Sequence, residues 1–444
     1  MTETHTPERR DLVLRGGLVL SMDPDIGVRD DCDVAISNGS ITDVGTGLVV
    51  DGAEEIDASD MVVVPGLIDS HWHMWSTVGR NFIREGYEYF PAKLATSSSY
   101  EPEDFYDSVL LGLVEAANAG ITTVHNWSHN TRSPEHADAE LRAHRGGLVR
   151  ARYAYGHRDG LPVDEPLAFS DIDRVTAEWF GTDSPFENVV HLGLNLRGPD
   201  LGELDVFHKE MDDARARRLP VAIHTMQGGA TKVRVADLAA HDYLGPDFMI
   251  CHFLAATEED RSLMAESRTP LSYSVHSELR LGEAGDPRAA LLGMHHAGVV
   301  VSLSIDATSL HPVNLFEAMN VAWNMGIPWE GTDTAALPAL TFHDCLAMAT
   351  INGATALGLQ DVTGSLTPGK RADVVMIRKH DLNVAPVGDP ESTVVRSVTP
   401  ANVDTVVIDG RIVKRHGELL HVDPAEVVRN AEQAASRVLG RSRG

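Results

Sequence analysis

The stretch Pro65-Gly66-Leu67-Ile68-Asp69-Ser70-His71-Trp72-His73 carries the strongest indication of the fold. It begins as an apolar run of strand type and ends in two histidines separated by one residue. On an extended chain, residues i and i+2 point to the same side, so both imidazoles can reach one metal ion. The segment therefore predicts a buried β-strand that ends at a metal site.

From residue 61 onward, short apolar runs alternate with longer segments of helical period. Buried parallel strands read as continuous apolar runs because helices cover both faces of their sheet. Eight strand–helix units in succession predict an α/β fold, a (β/α)8 barrel of the TIM type. An open doubly wound sheet is the alternative, but Gly45-Thr46-Gly47 lacks the third glycine of a nucleotide fingerprint. The predicted strands are Val62–Ile68, Thr122–Val124, Ala151–Tyr155, Val189–Leu196, Pro220–His224, Phe248–His252, Leu271–Val275 and Val299–Ile305.

Both ends of the chain have a different texture, with short β-type runs separated by turn formers such as Asn38-Gly39 and Gly410-Arg411. We expect the two ends to pair into one small composite β-sandwich beside the barrel. The predicted domains are residues 1–61 with 364–423 for the sandwich, 62–363 for the barrel, and 424–444 for a C-terminal helix and tail. That last helix, about Pro424–Leu439, is predicted to be exposed.

Further metal-type side chains stand where other predicted barrel strands end. His224 closes the fifth strand, His252 the sixth and Asp306 the eighth, whereas His71 and His73 follow the first. Barrel enzymes place their ligands and catalytic groups at the carboxyl ends of the strands. The five residues together therefore predict a divalent metal site, with zinc as the first choice and iron, cobalt or manganese as alternatives.

Two segments near the end of the barrel, Thr350–Leu359 and Gly364–Asp373, resemble a C-terminal signature, and Pro65–His73 resembles a first-strand signature, of one family. This family is the amidohydrolase superfamily, in its cytosine-deaminase and chlorohydrolase-like branch. The resemblance spans nearly the whole chain and implies the same barrel with a composite β-sandwich. It implies metal ligation by His71, His73, His224 and Asp306, with His252 contacting the metal or its bound water. The fourth strand ends in Asn195-Leu196-Arg197 without the lysine of two-metal relatives, so one metal ion is expected.

An ion held by neutral imidazoles and one carboxylate keeps an open position and lowers the pKa of a bound water toward neutrality. Asp306 is expected to accept the proton of that water, and His252 to orient the nucleophile or polarise the substrate.

Two positions depart from the pattern of the deaminase branch. That branch carries His-x-x-Glu after the fifth strand, but here the segment reads His224-Thr225-Met226-Gln227, and a glutamine cannot transfer a proton at neutral pH. After the seventh strand, His276-Ser277-Glu278 stands where the branch often has Ser-Asn. Glu278 is either a catalytic replacement for the missing acid or a surface residue.

Asn126-Trp127-Ser128-His129-Asn130, after the second strand, resembles thiocarbamate (molinate) and phenylurea hydrolases. Aromatic side chains near this segment could form a pocket, although core packing is an equal alternative for the tryptophans. Arg197 could bind a substrate carboxylate or form a structural ion pair. The predicted substrate-binding residues are Trp72, Trp75, Trp127, His129, Tyr155, Arg197, Gln227 and His276.

The amino-acid composition limits the kinds of molecule that the protein is expected to bind. The formal net charge is −28, which works against binding nucleic acid or an anionic membrane and favours a small-molecule substrate. Three widely spaced cysteines and a polar N-terminal segment without an apolar run predict a reducing, cytoplasmic location. A symmetric homo-oligomer is the default expectation.

The first functional hypothesis is hydrolysis of a C–N bond in an amide, urea, carbamate or thiocarbamate, because acyl substrates depend less on the acid that Gln227 cannot supply. The alternatives are an aminohydrolase that deaminates a heterocycle, and a metal-dependent lyase or dehydratase on the same site. A scaffold protein without catalysis is disfavoured, because all the ligands expected for one metal are present.

Overall fold

The computed structural model describes residues 6–83, 88–225, 231–283 and 285–443. Its strands form two sheets, one of eight strands and one of nine. Among the described residues, no helix has the length and apolar content needed to cross a membrane.

Eight parallel strands form the predicted (β/α)8 barrel in simple sequence order. The sheet closes where the first strand meets the segment that follows the eighth, because the amide of His73 donates to the carbonyl of Asp306 and the amide of Asp306 donates to that of His71, both at 2.8 Å. The barrel strands are Leu67–Trp72, Ile121–Ser128, Arg150–Gly156, Val190–Leu196, Val221–His224, Phe248–Cys251, Leu271–Tyr273 and Val301–Leu303.

The predicted strand Val62–Ile68 is two strands that belong to different sheets. Met61–Pro65 pairs antiparallel with Val374–Arg378 in the nine-stranded sheet, and Leu67–Trp72 then begins the barrel. Gly66 stands between them, where a Cβ would lie 1.9 Å from the Thr122 hydroxyl. The sequence does not show this change of sheet, because both strands are buried and together appear as one continuous apolar run. The N-terminal share of the small sheet therefore extends to Pro65 rather than to residue 61.

The nine-stranded mixed sheet joins the two ends of the chain, as expected. Its strands use the two-residue period: Val62 and Val64 face the barrel core, and Val63 faces a separate core with residues such as Leu14 and Met376. The strands are Leu12–Leu20, Val28–Ser37, Ser40–Gly45, Glu54–Asp57, Met61–Pro65, Val374–Arg378, Val403–Ile408, Arg411–Arg415 and Glu418–Leu419.

Helices cover the outside of the barrel. One expectation fails: the C-terminal helix is not exposed throughout, because it packs its buried residues, among them Ala434, onto helix Pro102–Asn118, where Arg437 pairs with Asp104. The α-helices are Tyr89–Ser97, Pro102–Asn118, Pro134–Gly147, Phe169–Trp179, Gly198–Leu201, Leu204–Arg217, Val235–Ala240, Glu258–Ser267, Val275–Leu281, Pro287–His296, Leu315–Met325, Phe342–Met348, Ile351–Ala356, Pro390–Ser397 and Pro424–Arg441.

A buried ion pair ties the two sheets together. Arg150, at the start of the third barrel strand, donates from Nε to Asp373 Oδ2 at 2.7 Å and from a terminal nitrogen to Oδ1 at 3.1 Å. Both side chains are at most 1% exposed. Asp409 extends the pair, because its amide also donates to Asp373 at 2.8 Å. Two parallel bonds make this the strong, bidentate type of ion pair.

Candidate metal centre

The barrel brings His71, His73, His224 and Asp306 to one point at the carboxyl ends of its strands. Nε2 of His71 lies 3.1 Å from Nε2 of His224, and Oδ1 of Asp306 lies 3.4 Å from Nε2 of His71 and 3.2 Å from Nε2 of His73. Ligand atoms about 2.05 Å from a tetrahedral zinc ion are about 3.3 Å apart. The measured spacings therefore fit a single ion of this size surrounded by these four side chains.

The protonation of these groups also suits a metal. Burial lowers the pKa of His71 to about 3 and that of His224 well below its usual value, so these imidazoles are neutral. Burial alone would raise the pKa of Asp306, but the facing imidazoles of His71 and His73 and the charge of the nearby His252 keep it well below its usual range. Metal binding requires neutral imidazole and ionised carboxylate, so no proton has to be removed from these three groups at neutral pH.

The backbone is strained at this centre. Asp306 has φ +63° and His252 has φ +75°, a left-handed conformation that is uncommon for residues other than glycine, although aspartate, asparagine and histidine adopt it more often than most. Such strain persists only where the surrounding structure enforces it, and it is concentrated at functional sites. Here the barrel closure enforces it, because Asp306 is hydrogen-bonded to the first strand through both its amide and its carbonyl.

His129 was expected to contact substrate, but it lies directly behind a proposed ligand. Its Nδ1 is 3.1 Å from Nδ1 of His73 and accepts a hydrogen bond from Nε1 of Trp75 at 3.0 Å. Because the indole nitrogen can only donate, Nδ1 of His129 carries no proton, and the proton between the two imidazoles belongs to His73. His73 is thereby fixed with its proton on Nδ1 and its lone pair on Nε2, toward Asp306. The Nε2 proton of His129 faces Asp159, whose Oδ1 is 3.6 Å away.

Glu278 is a buried residue and not a surface residue. Its side chain is fully buried, and its Oε1 accepts a hydrogen bond from Nδ1 of His252 at 2.7 Å. Burial lowers the pKa of His252, but the adjacent Glu278 carboxylate more than compensates and raises it overall. A ring nitrogen of His252 lies within 4.8 Å of ligand atoms of His71 and Asp306. The structure thus gives Glu278 a contact that positions His252, and its direct catalytic role stays a prediction.

The predicted aromatic pocket is only partly assembled. Trp127 packs beneath the centre, with its ring 3.9 Å from that of His224, and Trp75 lines a small cavity with Lys93. Trp72 instead points outward into the core beside helix Pro102–Asn118, because it alternates with His71 and His73 along the strand. The expectation that Trp72 contacts substrate is therefore wrong.

Tyr155 and Arg197 also have structural roles. The Tyr155 hydroxyl donates to Asp171 at 2.8 Å on a helix outside the barrel. The Arg197 guanidinium donates to backbone carbonyls of residues 161, 162 and 165, and its side chain is 4% exposed. The Tyr155 hydroxyl and the terminal nitrogens of Arg197 therefore have structural partners, and substrate contact by either side chain stays a prediction. Gln227 lies outside the described residues, and His276 contacts His311 and Glu317 at the same end of the barrel.

Three contributing residues were missed in the sequence. Asp69 accepts hydrogen bonds from the amides of His71 and Ile305 at 3.0 and 3.3 Å and so joins the first strand to the last. Its place within the quoted motif was a usable signal. Asp159 and Lys93, which pair at 3.0 Å beside His129, lie in a loop and a helix without any local pattern.

The chain is similar to known proteins over most of its length. A family model described as "Amidohydrolase family" matches residues 80–414. The 5'-deoxyadenosine deaminase of Methanosarcina acetivorans is 26% identical over 97% of this chain and 99% of its own length. The 5-methylthioadenosine/S-adenosylhomocysteine deaminase of Pelotomaculum thermopropionicum is 27% identical with the same coverage of both chains.

Solved structures share the fold. A zinc-bound adenosine deaminase from Xanthomonas campestris superposes with a TM-score of 0.82 at 23% identity, over 98% of this chain and 100% of that one. The zinc complex of atrazine chlorohydrolase TrzN from Arthrobacter aurescens TC1 gives 0.80 at 19% identity, over 96% and 100%. Because the family model covers more than half of its length, the protein belongs to the amidohydrolase family.

Proposed function

We propose that the protein hydrolyses a C–N bond of a small molecule with one divalent metal ion, zinc by preference, held by His71, His73, His224 and Asp306. The observation that carries the proposal is the spacing of 3.1 to 3.4 Å between the facing ligand atoms of these residues. Zinc in the Xanthomonas campestris and Arthrobacter aurescens structures supports the choice of metal.

When bound, the ion would lower the pKa of a water molecule and polarise the bond under attack. Asp306 is ionised and can therefore accept a proton from the attacking water. His252 is held by Glu278 through Nδ1, so its second ring nitrogen is the one presented to the reaction centre, where it can stabilise the charge that develops. His129 keeps His73 in the tautomer whose Nε2 lone pair faces Asp306.

Two substrate classes compete. Gln227 cannot donate the proton that attack on a ring carbon needs, which supports an amide, urea, carbamate or thiocarbamate as substrate. The second candidate is deamination of an adenosine-type nucleoside, which is supported by the deaminase relatives at 26 and 27% identity.

The first experiment measures zinc in purified wild type, Asp306→Asn and His73→Ala by elemental mass spectrometry. We expect both variants to lose the zinc bound at this centre, and full retention in both would refute the proposed ligand set. Turnover in ¹⁸O water must place solvent oxygen in the product; a product without ¹⁸O would identify a lyase or dehydratase.

A substrate panel then separates the two classes. Ureas and carbamates are compared with adenosine-type nucleosides in the wild type and in Gln227→Glu. We expect turnover of the acyl compounds by the wild type and a gain of deamination in the variant. Efficient deamination by the wild type would overturn the acyl assignment and leave the metal site intact.

We also propose that the working form is a cytoplasmic homo-oligomer with no nucleic-acid or membrane partner. The net charge of −28 supports the lack of nucleic-acid and membrane partners, and three buried free cysteines, Cys32, Cys251 and Cys345, suit a reducing compartment. The homo-oligomer rests only on the general frequency of symmetric oligomers.

A further inference from the structure

A second group of metal-type side chains lies at the same end of the barrel. His276 is in the helix that follows the seventh strand, His311 lies in the loop that follows Asp306, and Glu317 is in helix Leu315–Met325. One ligand atom from each residue lies within 4.8 Å of those of the other two. The group shares no residue with the centre formed by His71, His73, His224 and Asp306.

His311 is the unusual member of this group. Its side chain is 2% exposed, yet neither ring nitrogen has a hydrogen-bond partner within the described part of the chain. A buried polar atom is normally paired, so two unpaired nitrogens on one ring need an explanation. The ring packs against that of His276 with 3.7 Å between centroids, and one of its nitrogens lies within 4.8 Å of ligand atoms of His276 and Glu317.

Glu317 is already oriented toward the other two. Its Oε1 lies 3.5 Å from Nε2 of His276, and its Oε2 accepts a hydrogen bond from Nδ2 of Asn314 at 3.4 Å. Asn314 in turn caps the helix, because its Oδ1 accepts the amide proton of Glu317 at 3.1 Å. A carboxylate fixed through one oxygen presents the other, which is the usual arrangement of a supported metal ligand.

We propose that His276, His311 and Glu317 bind a second divalent transition-metal ion of the zinc type. Two imidazoles and one carboxylate are a ligand set that zinc uses with three protein ligands and one open position. The His276–Glu317 spacing of 3.5 Å is close to the separation of about 3.3 Å between ligands of a tetrahedral zinc ion. The His276 and Glu317 side chains are 22% and 46% exposed, so the open position faces solvent.

The protonation of the cluster agrees with this. Burial, helped by the neighbouring His276, lowers the pKa of His311 to about 3, so the ring is neutral and carries a lone pair. An ion would satisfy one of its two nitrogens. The ion would also add a positive charge beside the two packed histidine rings and opposite the Glu317 carboxylate.

The test counts zinc per chain after equilibration with excess zinc and desalting. We expect about two ions in the wild type, about one in His311→Ala and about one in Asp306→Asn. The double variant should hold none. Zinc content of Asp306→Asn tests the first metal site, and zinc content of His311→Ala tests the second. A failure of one proposal can therefore be distinguished from a failure of the other.

His295→Ala is the matched control. His295 also faces a carboxylate, with Nε2 3.7 Å from Oδ1 of Asp344, and its side chain is 25% exposed. This variant should keep the zinc content of the wild type. Glu317→Gln changes a half-exposed side chain and gives a second variant that folds if His311→Ala does not; we expect at least tenfold weaker binding of the second zinc in competition with a chelator. Unchanged zinc content and affinity in both His311→Ala and Glu317→Gln would overturn the proposal.

Discussion

Replacing His129 by alanine should weaken zinc binding at the first centre about 10- to 100-fold, or about 1.4 to 2.8 kcal/mol. His129 does not ligate the proposed ion, so the effect has to pass through His73. In the wild type, Nδ1 of His129 accepts a hydrogen bond from the Nδ1–H group of His73 across 3.1 Å, and this leaves Nε2 of His73 available to the metal.

The cost falls on the metal-bound state. Without metal, His73 in the variant can move its proton to Nε2 and donate to Asp306, which is 3.2 Å away. With metal, that nitrogen must give up the proton, and the Nδ1–H group is left buried without its acceptor. An unsatisfied buried donor costs about 1 to 3 kcal/mol, which is the same range as the predicted loss.

The assay is competition for zinc between the protein and a chelator of known affinity. His136→Ala is the control, because His136 is 5% exposed and packs on Phe105, as Trp75 does, and among its contacts in the described part of the chain there is none with a proposed ligand. The control should bind zinc like the wild type. A His129→Ala protein with zinc affinity within threefold of wild type would refute the argument that His129 fixes the tautomer of His73.

Three other predictions concern Glu278, Arg150 and Glu140, a buried residue that accepts a hydrogen bond from the Ser128 hydroxyl of the second barrel strand at 3.0 Å. Glu278→Gln should lower kcat about 10- to 100-fold with zinc content unchanged, because His252 loses its carboxylate partner; an unchanged kcat would contradict the positioning role. Arg150→Met should lower the free energy of unfolding in denaturant titrations by about 3 to 5 kcal/mol, since Asp373 is left buried and charged, and a loss below about 1 kcal/mol would disagree. Burial raises the pKa of Glu140 to about 8, so the folded state keeps a proton that the unfolded chain loses near pH 4.5. The contribution of Glu140 to the free energy of unfolding is complete below about pH 4.5 and is lost as the pH rises to about 8. The loss between pH 5 and pH 9 is on the order of 4 kcal/mol. Glu140→Gln should abolish this loss, which is measured from denaturant unfolding curves at the two pH values.

The features that could be predicted from the sequence are those that follow from the periodic spacing of apolar residues. The two-residue period of a strand places His71 and His73 on one side, and eight apolar runs with intervening helices predict the barrel that collects His224, His252 and Asp306. The same period, applied once more, would have placed Trp72 on the opposite side, in the core where it lies. That error came from weighing residue type above position in the strand.

Contacts between distant segments could not be predicted in this way. The pairing of Glu278 with His252 depends on how two neighbouring strand ends are oriented, and the approach of Asp159 to His129 depends on a loop without periodicity. Gly66 was a local sign of a break, but a glycine inside an apolar run does not say that the chain changes sheet. Arg197 is a further example, because nothing in the sequence around this charged residue indicates that its side chain binds backbone carbonyls.

The pairing of Met61–Pro65 with Val374–Arg378 has a consequence for the protein during its synthesis. The first of these strands leaves the ribosome about three hundred residues before its partner, which at 5 to 20 residues per second is a delay of roughly 15 to 60 s. Over that interval one edge of an all-apolar strand has no neighbour, and such edges invite aggregation. We expect the nascent chain to require chaperone binding during synthesis. We also expect slower growth at low temperature to raise the yield of soluble protein.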